Sequence, residues 1–292
     1  MKKTALLIAL SLALAQTALA APFAYITNEM DDTVSVIDIA TNKVVALVAT
    51  GDEPRGVAVS HDGRFVYVTN FLGNSVSVID TSVNRATSTI RVGERPQCVA
   101  VNLDGTRAYV TNFKSNNVSV IDTAAGKVIA SVPVGTKPDG VAITPDGKFV
   151  YTANFEADTV SVIDTSDNTV KATVASTHRP SGIVVSPDGA YVYVTNIASG
   201  DVTGIKTFGN RFLRTVKAGT LPSGVVVSKD GSTVYTANSG SSDVTVIDTE
   251  EYEVTATIPA GPLASGADLT PDGKFLYVAN SGDKTVTVID TE

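Results

Sequence analysis

Gly140-Val-Ala-Ile-Thr144, Pro145-Asp146-Gly147, Val150-Tyr-Thr-Ala-Asn154, Thr159-Val-Ser-Val-Ile-Asp164 and Thr169-Val-Lys-Ala-Thr-Val-Ala175 follow one another along the chain. They read as four short β-rich segments parted by turn signals. Val, Ile and Thr branch at Cβ and suit a pleated surface, and the chain contains no Trp. Pro145-Asp146-Gly147 suits a type I turn, in which Pro presets φ and Gly takes the left-handed position that follows. The stretch therefore describes one four-stranded meander.

Working outward, the same unit recurs in both directions. Tyr25, Tyr67, Tyr109, Tyr151, Tyr193, Tyr235 and Tyr277 are spaced by 42 residues every time. Asn28, Asn70, Asn112, Asn154, Asn196, Asn238 and Asn280 keep the same register, and Asp-Gly recurs at Asp62, Asp104, Asp188, Asp230 and Asp272. A fixed period without insertion means one supersecondary unit copied in tandem. Four-stranded sheets repeated around an axis make an all-β propeller, because radial stacking buries both faces of every sheet. Gly56, Gly140, Gly182, Gly224 and Gly266 open the first strands, where innermost backbones converge and a side chain has little room. A stacked solenoid is the alternative, and it explains the meanders less well.

Tyr-Val-Thr-Asn at 67–70, 109–112 and 193–196, with Val-Ser-Val-Ile-Asp and Pro-Asp-Gly, resembles the YVTN-family β-propeller repeat over essentially all of residues 22–292. That resemblance implies a WD40-like propeller of surface-layer or periplasmic type with seven blades, in which a terminal first strand completes the opening blade. Six first, seven second, seven third and six fourth strands are legible, 26 against the 28 that seven blades require. Seven blades with an incomplete seam is the preferred reading; the alternative is six closed blades plus a spare C-terminal hairpin, with Gly266–Thr270 paired to the strands at 24–50. Either leaves strand edges that invite strand pairing or weak dimerisation at the seam.

Residues 1–20 read as a secretory signal: Lys2 and Lys3, an apolar stretch from Ala5 to Ala15, then Ala18-Leu19-Ala20 before cleavage. The apolar stretch is too short to span a bilayer, so a periplasmic or secreted location without a membrane span is expected. Residues 21–292 are then a single propeller domain. Removing Lys2 and Lys3 from the 22 basic residues leaves 20 against 30 acidic, a net charge of -10, which argues against bulk attraction to nucleic acid. Cys98 is the single cysteine, so no internal disulfide holds the fold.

Positions shared by all units serve the blade: Asn and Asp bond nearby backbone and stabilise turns. Positions that vary are free for function. In an up-and-down meander, the loops from second to third strand and from fourth to next first strand share one face around the channel. There Arg95, Lys137 and Arg179 occupy the same position in three successive units, with Arg55 two residues later in its own loop. Phe71, Phe113 and Phe155 follow the shared Asn in three neighbouring units, where the others have Glu29, Ile197, Ser239 and Ser281. Aromatics and cations thus fall on one arc, a candidate site for a protein or small-ligand partner. Each Phe either packs over its own blade or joins an exposed apolar patch.

For catalysis the chain is poor. His61 and His178 lie in loops on opposite faces, and the weak candidates at the channel mouth are His178, Asp139 and Glu53. No residue spacing suggests a metal, and no haem, phosphate-loop or serine-elbow motif is present, so no cofactor is expected. Cys98 replaces an opening Gly and reads as a small inward filler. The residues favour a non-catalytic binding or scaffold protein. A lactonase- or lyase-like enzyme, by fold analogy, and a passive envelope protein are the alternatives.

Overall fold

The computed structural model describes residues 23–292, together with a two-residue strand at Leu10–Ser11. Apart from that pair, the segment read as a secretory signal lies outside the described residues. Leu10–Ser11 runs antiparallel to Phe23–Asn28, with Leu10 opposite Ile26 and Ser11 opposite Tyr25.

Seven antiparallel meanders form a ring, six of them with four strands, a to d from the axis outward, and one with three among the described residues. Blade 1 contains Leu10–Ser11, Phe23–Asn28, Thr33–Asp38 and Lys43–Ala49; blades 2 to 6 occupy 54–91, 96–133, 138–175, 180–217 and 222–259. Blade 7 has three strands among the described residues, Ala264–Leu269, Phe275–Asn280 and Thr285–Asp290. Those three pair with one another, so 264–269 is the inner strand of its own blade. This excludes six closed blades with a spare hairpin: Gly266–Thr270 does not pair with the strands at 24–50.

The seam between blades 1 and 7 carries no strand pairing among the described residues. Side chains close it instead: Ala24, Ile26 and Ile37 pack with Tyr277 and Ala279, and Tyr277 donates from its hydroxyl to Asn42 Oδ1 at 2.5 Å. Blade 1 therefore meets blade 7 as a ring requires, and an open solenoid is ruled out.

Alternation produces the core. On the b and c strands of blades 4 and 5, Val160, Val162, Val192, Val194 and Ile205 are fully buried in one inter-blade cluster. The repeated Asn is structural: Asn70 has no solvent exposure, donates from Nδ2 to Ser75 and Ser77, and accepts from Gly51 N. The b-strand Thr ties blade to blade, as Thr69 donates to Gln97 O and Thr111 to Asp139 O. Inner strands approach so closely that a Cβ at Gly182 would lie 2.0 Å from Ser223 O, and one at Gly140 2.3 Å from Ser181 O. Backbone contact thus explains the glycines that open these strands.

Candidate functional site

On the face that carries the d–a and b–c loops, one local device recurs around the ring. The residue before each inner strand of blades 2 to 7 has positive φ: Glu53, Arg95, Lys137, Arg179, Leu221 and Leu263 lie between 52° and 56°. Such a conformation is uncommon for side chains other than Gly and needs local support. In blades 2 to 5 an Asp or Asn of the preceding blade supplies it. Asp32 Oδ1 accepts from Glu53 N at 2.9 Å, and Asn74, Asn116 and Asp158 accept from Arg95, Lys137 and Arg179 N at 2.8 Å each.

The carbonyl of the same residue then accepts the N–H that follows the repeated Asn. Phe71 N donates to Glu53 O at 2.8 Å, Phe113 N to Arg95 O and Phe155 N to Lys137 O at 2.9 Å. Each aromatic is therefore clamped to the loop of its own blade, and each cation projects toward the blade before it. Arg95 lies 5.5 Å from the Phe71 centroid, Lys137 5.4 Å from Phe113 and Arg179 5.4 Å from Phe155. Arg55 sits closest, 3.5 Å over Phe71.

The rings also touch one another. Phe71 and Phe113 are 6.4 Å apart at 56°, and Phe113 and Phe155 6.1 Å apart at 50°, the tilted geometry that the ring quadrupole favours. Phe71 is buried and the other two are half-buried. The aromatics therefore neither retreat onto their own blades nor stand free: they form a staircase across blades 2 to 4 with cations between the steps. Among the cations, Arg95 and Arg179 are exposed and Lys137 is half-exposed, paired with Glu156.

Inside the arc, a polar chain crosses the channel mouth. Arg55 donates from Nη2 to Glu29 Oε1 and from Nη1 to Gln97 Oε1, both at 2.9 Å, and Glu53 lies 3.7 Å away. Gln97 bonds Asp139 in turn, and Ser181 Oγ donates to Asp139 Oδ2 at 2.7 Å. Burial pushes the Asp139 carboxyl above the usual carboxylate range against the opposing effects of Ser181 and Arg55. Burial likewise raises Glu29 despite Arg55 beside it. Below the chain lies an axial cavity of about 360 Å³, walled by inner-strand residues such as Val57, Val99, Val141 and Ile183. Cys98 lines it, with its thiol pushed up to about 11 by burial.

The sequence candidates for catalysis are not joined by any hydrogen bond or ion pair. His178 is exposed and faces Asp158 at 3.3 Å, Glu53 faces Arg55, and Asp139 is buried against Ser181. No group of three or more His, Cys, Asp or Glu among the described residues is placed to hold a metal ion. What the sequence reading missed is the chain through Glu29 and Gln97. Its signal was the 42-residue register that makes Arg55, Gln97, Asp139 and Ser181 equivalent.

Residues 57–143 and 135–292 match the family described as the YNCE-like beta-propeller. Residues 9–95 also match the Cytochrome D1 heme domain; that stretch brings to the channel mouth no histidine, since His61 lies in an a–b turn on the other face. Among solved structures, a chain of Kuenenia stuttgartiensis hydrazine synthase is similar over 100% of this chain and 99% of that one, at 26% identity and a TM-score of 0.86. A functionally unknown protein from Desulfotomaculum acetoxidans DSM 771 shares the fold at 21% identity and a TM-score of 0.81, covering 92% of each chain. No curated protein sequence matches.

Proposed function

The chain belongs to the YNCE-like beta-propeller family, and we propose that it is an exported, non-catalytic binding propeller whose arc on the loop face holds a protein or ligand partner. The observation that carries this reading is the alternation of Arg55, Phe71, Arg95, Phe113, Lys137, Phe155 and Arg179 in contact across blades 2 to 4 and the loop that opens blade 5. Aromatic and Arg anchors on a rigid scaffold are the residue types that dominate binding energy at interfaces. The left-handed residue and the bond to its carbonyl recur in blades 2 to 7, so these side chains are not needed to build the loop.

Export rests on the Lys2-Lys3 and Ala18-Leu19-Ala20 pattern, and kinship with surface-layer or periplasmic repeats rests on Tyr-Val-Thr-Asn. No helix among the described residues is long and apolar enough to cross a membrane. The enzyme reading draws on the likeness to a hydrazine synthase chain. It has less support, because His178, Asp139 and Glu53 each engage a different partner.

A photo-reactive amino acid placed at position 113 in the native host tests the binding reading. It should capture a discrete partner, identified by mass spectrometry, and replacing Arg95, Lys137 and Arg179 together by Ser should remove the adduct from a protein that still folds. An adduct unaffected by the triple change would overturn the assignment.

A further inference from the structure

The axial cavity lies inside the arc, shares Arg55 with it and has a charge imbalance of its own. At its mouth, Arg55 faces three carboxylates, those of Glu29, Glu53 and Asp139. Glu29 holds the guanidinium at 2.9 Å and Glu53 approaches to 3.7 Å. Asp139 meets it through the neutral amide of Gln97, and its other partner is the neutral hydroxyl of Ser181. Asp139 is thus a carboxylate on the cavity wall, 7% exposed, without a direct cationic partner among the described residues. Arg55 is the single basic residue on that wall among the described residues, and its charge is already taken. A buried charge of this kind is costly unless a counter-charge reaches it.

We propose that the axial cavity is a binding site for a small organic ammonium ion, its head at Asp139 and the serine hydroxyls of the mouth, its alkyl tail against the valines below. An ammonium group brings three donors and no acceptor, which suits acceptors converging from several strands. The Ser223 hydroxyl donates to Ser265 O at 3.0 Å, which leaves its oxygen lone pairs free to accept. The volume of about 360 Å³ lies within the range of small-ligand pockets, and the walls are apolar with few polar groups, as such pockets are. A bare divalent ion fits less well, since Ca²⁺ takes six to eight oxygens and the wall offers one carboxylate. The proposal is independent of the arc: either can fail while the other stands.

Cys98 supplies the test, being the one cysteine of the chain and lining the same cavity. Methanethiosulfonates form a disulfide with the thiolate and release methanesulfinate, and they exist with a trimethylammonium, a sulfonate or a neutral methyl group. The measured quantity is the ratio of the cationic to the anionic rate at Cys98, divided by the same ratio for free cysteine. A carboxylate in the cavity should raise it about tenfold. In the unaltered protein, n-butylammonium should protect Cys98 from the neutral reagent, and butyrate should not. Asp139→Asn should return the ratio to about that of free cysteine and abolish protection. A ratio at or below that of free cysteine, equal protection by butyrate, or a Cys98 that reacts with none of the reagents would overturn the proposal. If the variant fails to fold, the ratio and the protection in the unaltered protein decide the matter alone.

Discussion

Blades 2 to 4 and blades 5 to 7 share one backbone and differ in what it carries. In both halves the residue before the inner strand is left-handed and its carbonyl accepts the N–H after the repeated Asn, Phe155 N to Lys137 O in one and Ser239 N to Leu221 O in the other. In blades 2 to 4 those positions hold Phe71, Phe113 and Phe155, with Arg95 and Lys137 between them, and the mouth carries Arg55, Gln97 and Asp139. In blades 5 to 7 they hold Ile197, Ser239 and Ser281, with Arg179, which reaches back over Phe155, then Leu221 and Leu263, and the mouth carries Ser181, Ser223 and Ser265. Because either set is tolerated, blade construction does not demand the aromatic and charged set. The difference teaches that geometry is common property of the repeat, while chemistry was placed on one half.

The largest effect that separates the halves should come from Arg55→Ala. It leaves Glu29, only 13% exposed at the side chain, without its cation, and breaking such a pair costs about 3–5 kcal/mol. Urea unfolding followed by circular dichroism should show that loss, whereas Leu263→Ala, at a side chain already 40% exposed, should cost well under about 1 kcal/mol. Equal losses would mean that the mouth chain stabilises no more than the rim.

A smaller effect tests the common backbone. Gly182→Ala should destabilise by about 1–3 kcal/mol, because the new Cβ must displace the Ser223 carbonyl of the next inner strand. Phe113→Ala should cost about 1–3 kcal/mol, as two ring contacts and a cation contact disappear at a half-buried side chain. The same truncation at Ile197, which has no aromatic neighbour of this kind, should cost less.

The smallest stability effect is expected at Asp139, and its sign is the informative part. Its folded carboxyl titrates above the usual range because of burial, so the folded state holds the proton more tightly than the unfolded state. Stability from this group is therefore greatest at low pH and is lost as pH rises from the ordinary carboxylate value through the raised one. Asp139→Asn should stabilise the protein at neutral pH, and the difference from the unaltered protein should vanish toward acid. Taking that difference removes the opposite slope of turn residues such as Asp146 and Asp188, whose carboxyls are held low by Thr144 and Ser186. A variant less stable at neutral pH than the parent would mean that Asp139 is fully compensated in the folded chain.

Much of this was legible in the sequence because the repeat supplies its own alignment. The 42-residue spacing from Tyr25 to Tyr277 encodes seven units, and the opening glycines mark where inner backbones meet. The arc was legible too, since Phe71, Phe113 and Phe155 share one register and Arg95, Lys137 and Arg179 another. How the rings behave was not, because contact between neighbouring blades depends on the ring closing, and a one-dimensional register carries no distance between blades. The mouth chain escaped for a related reason. Arg55 stands at the register of Gln97 and Asp139 yet folds back over Phe71 and onto Glu29, which joins residues from different loops. The incomplete seam was legible as a shortfall of strands, but not the side chains such as Tyr277 and Asn42 that bridge it.

The central claim, that the partner surface lies on the blade 2 to 4 half of the loop face, is tested most directly by photo-cross-linking from two equivalent positions in parallel. Positions 113 and 239 both follow the repeated Asn, in blades 3 and 6. The account predicts a discrete adduct from position 113 and none from position 239. Adducts of equal yield from both positions, or from 239 alone, would contradict it.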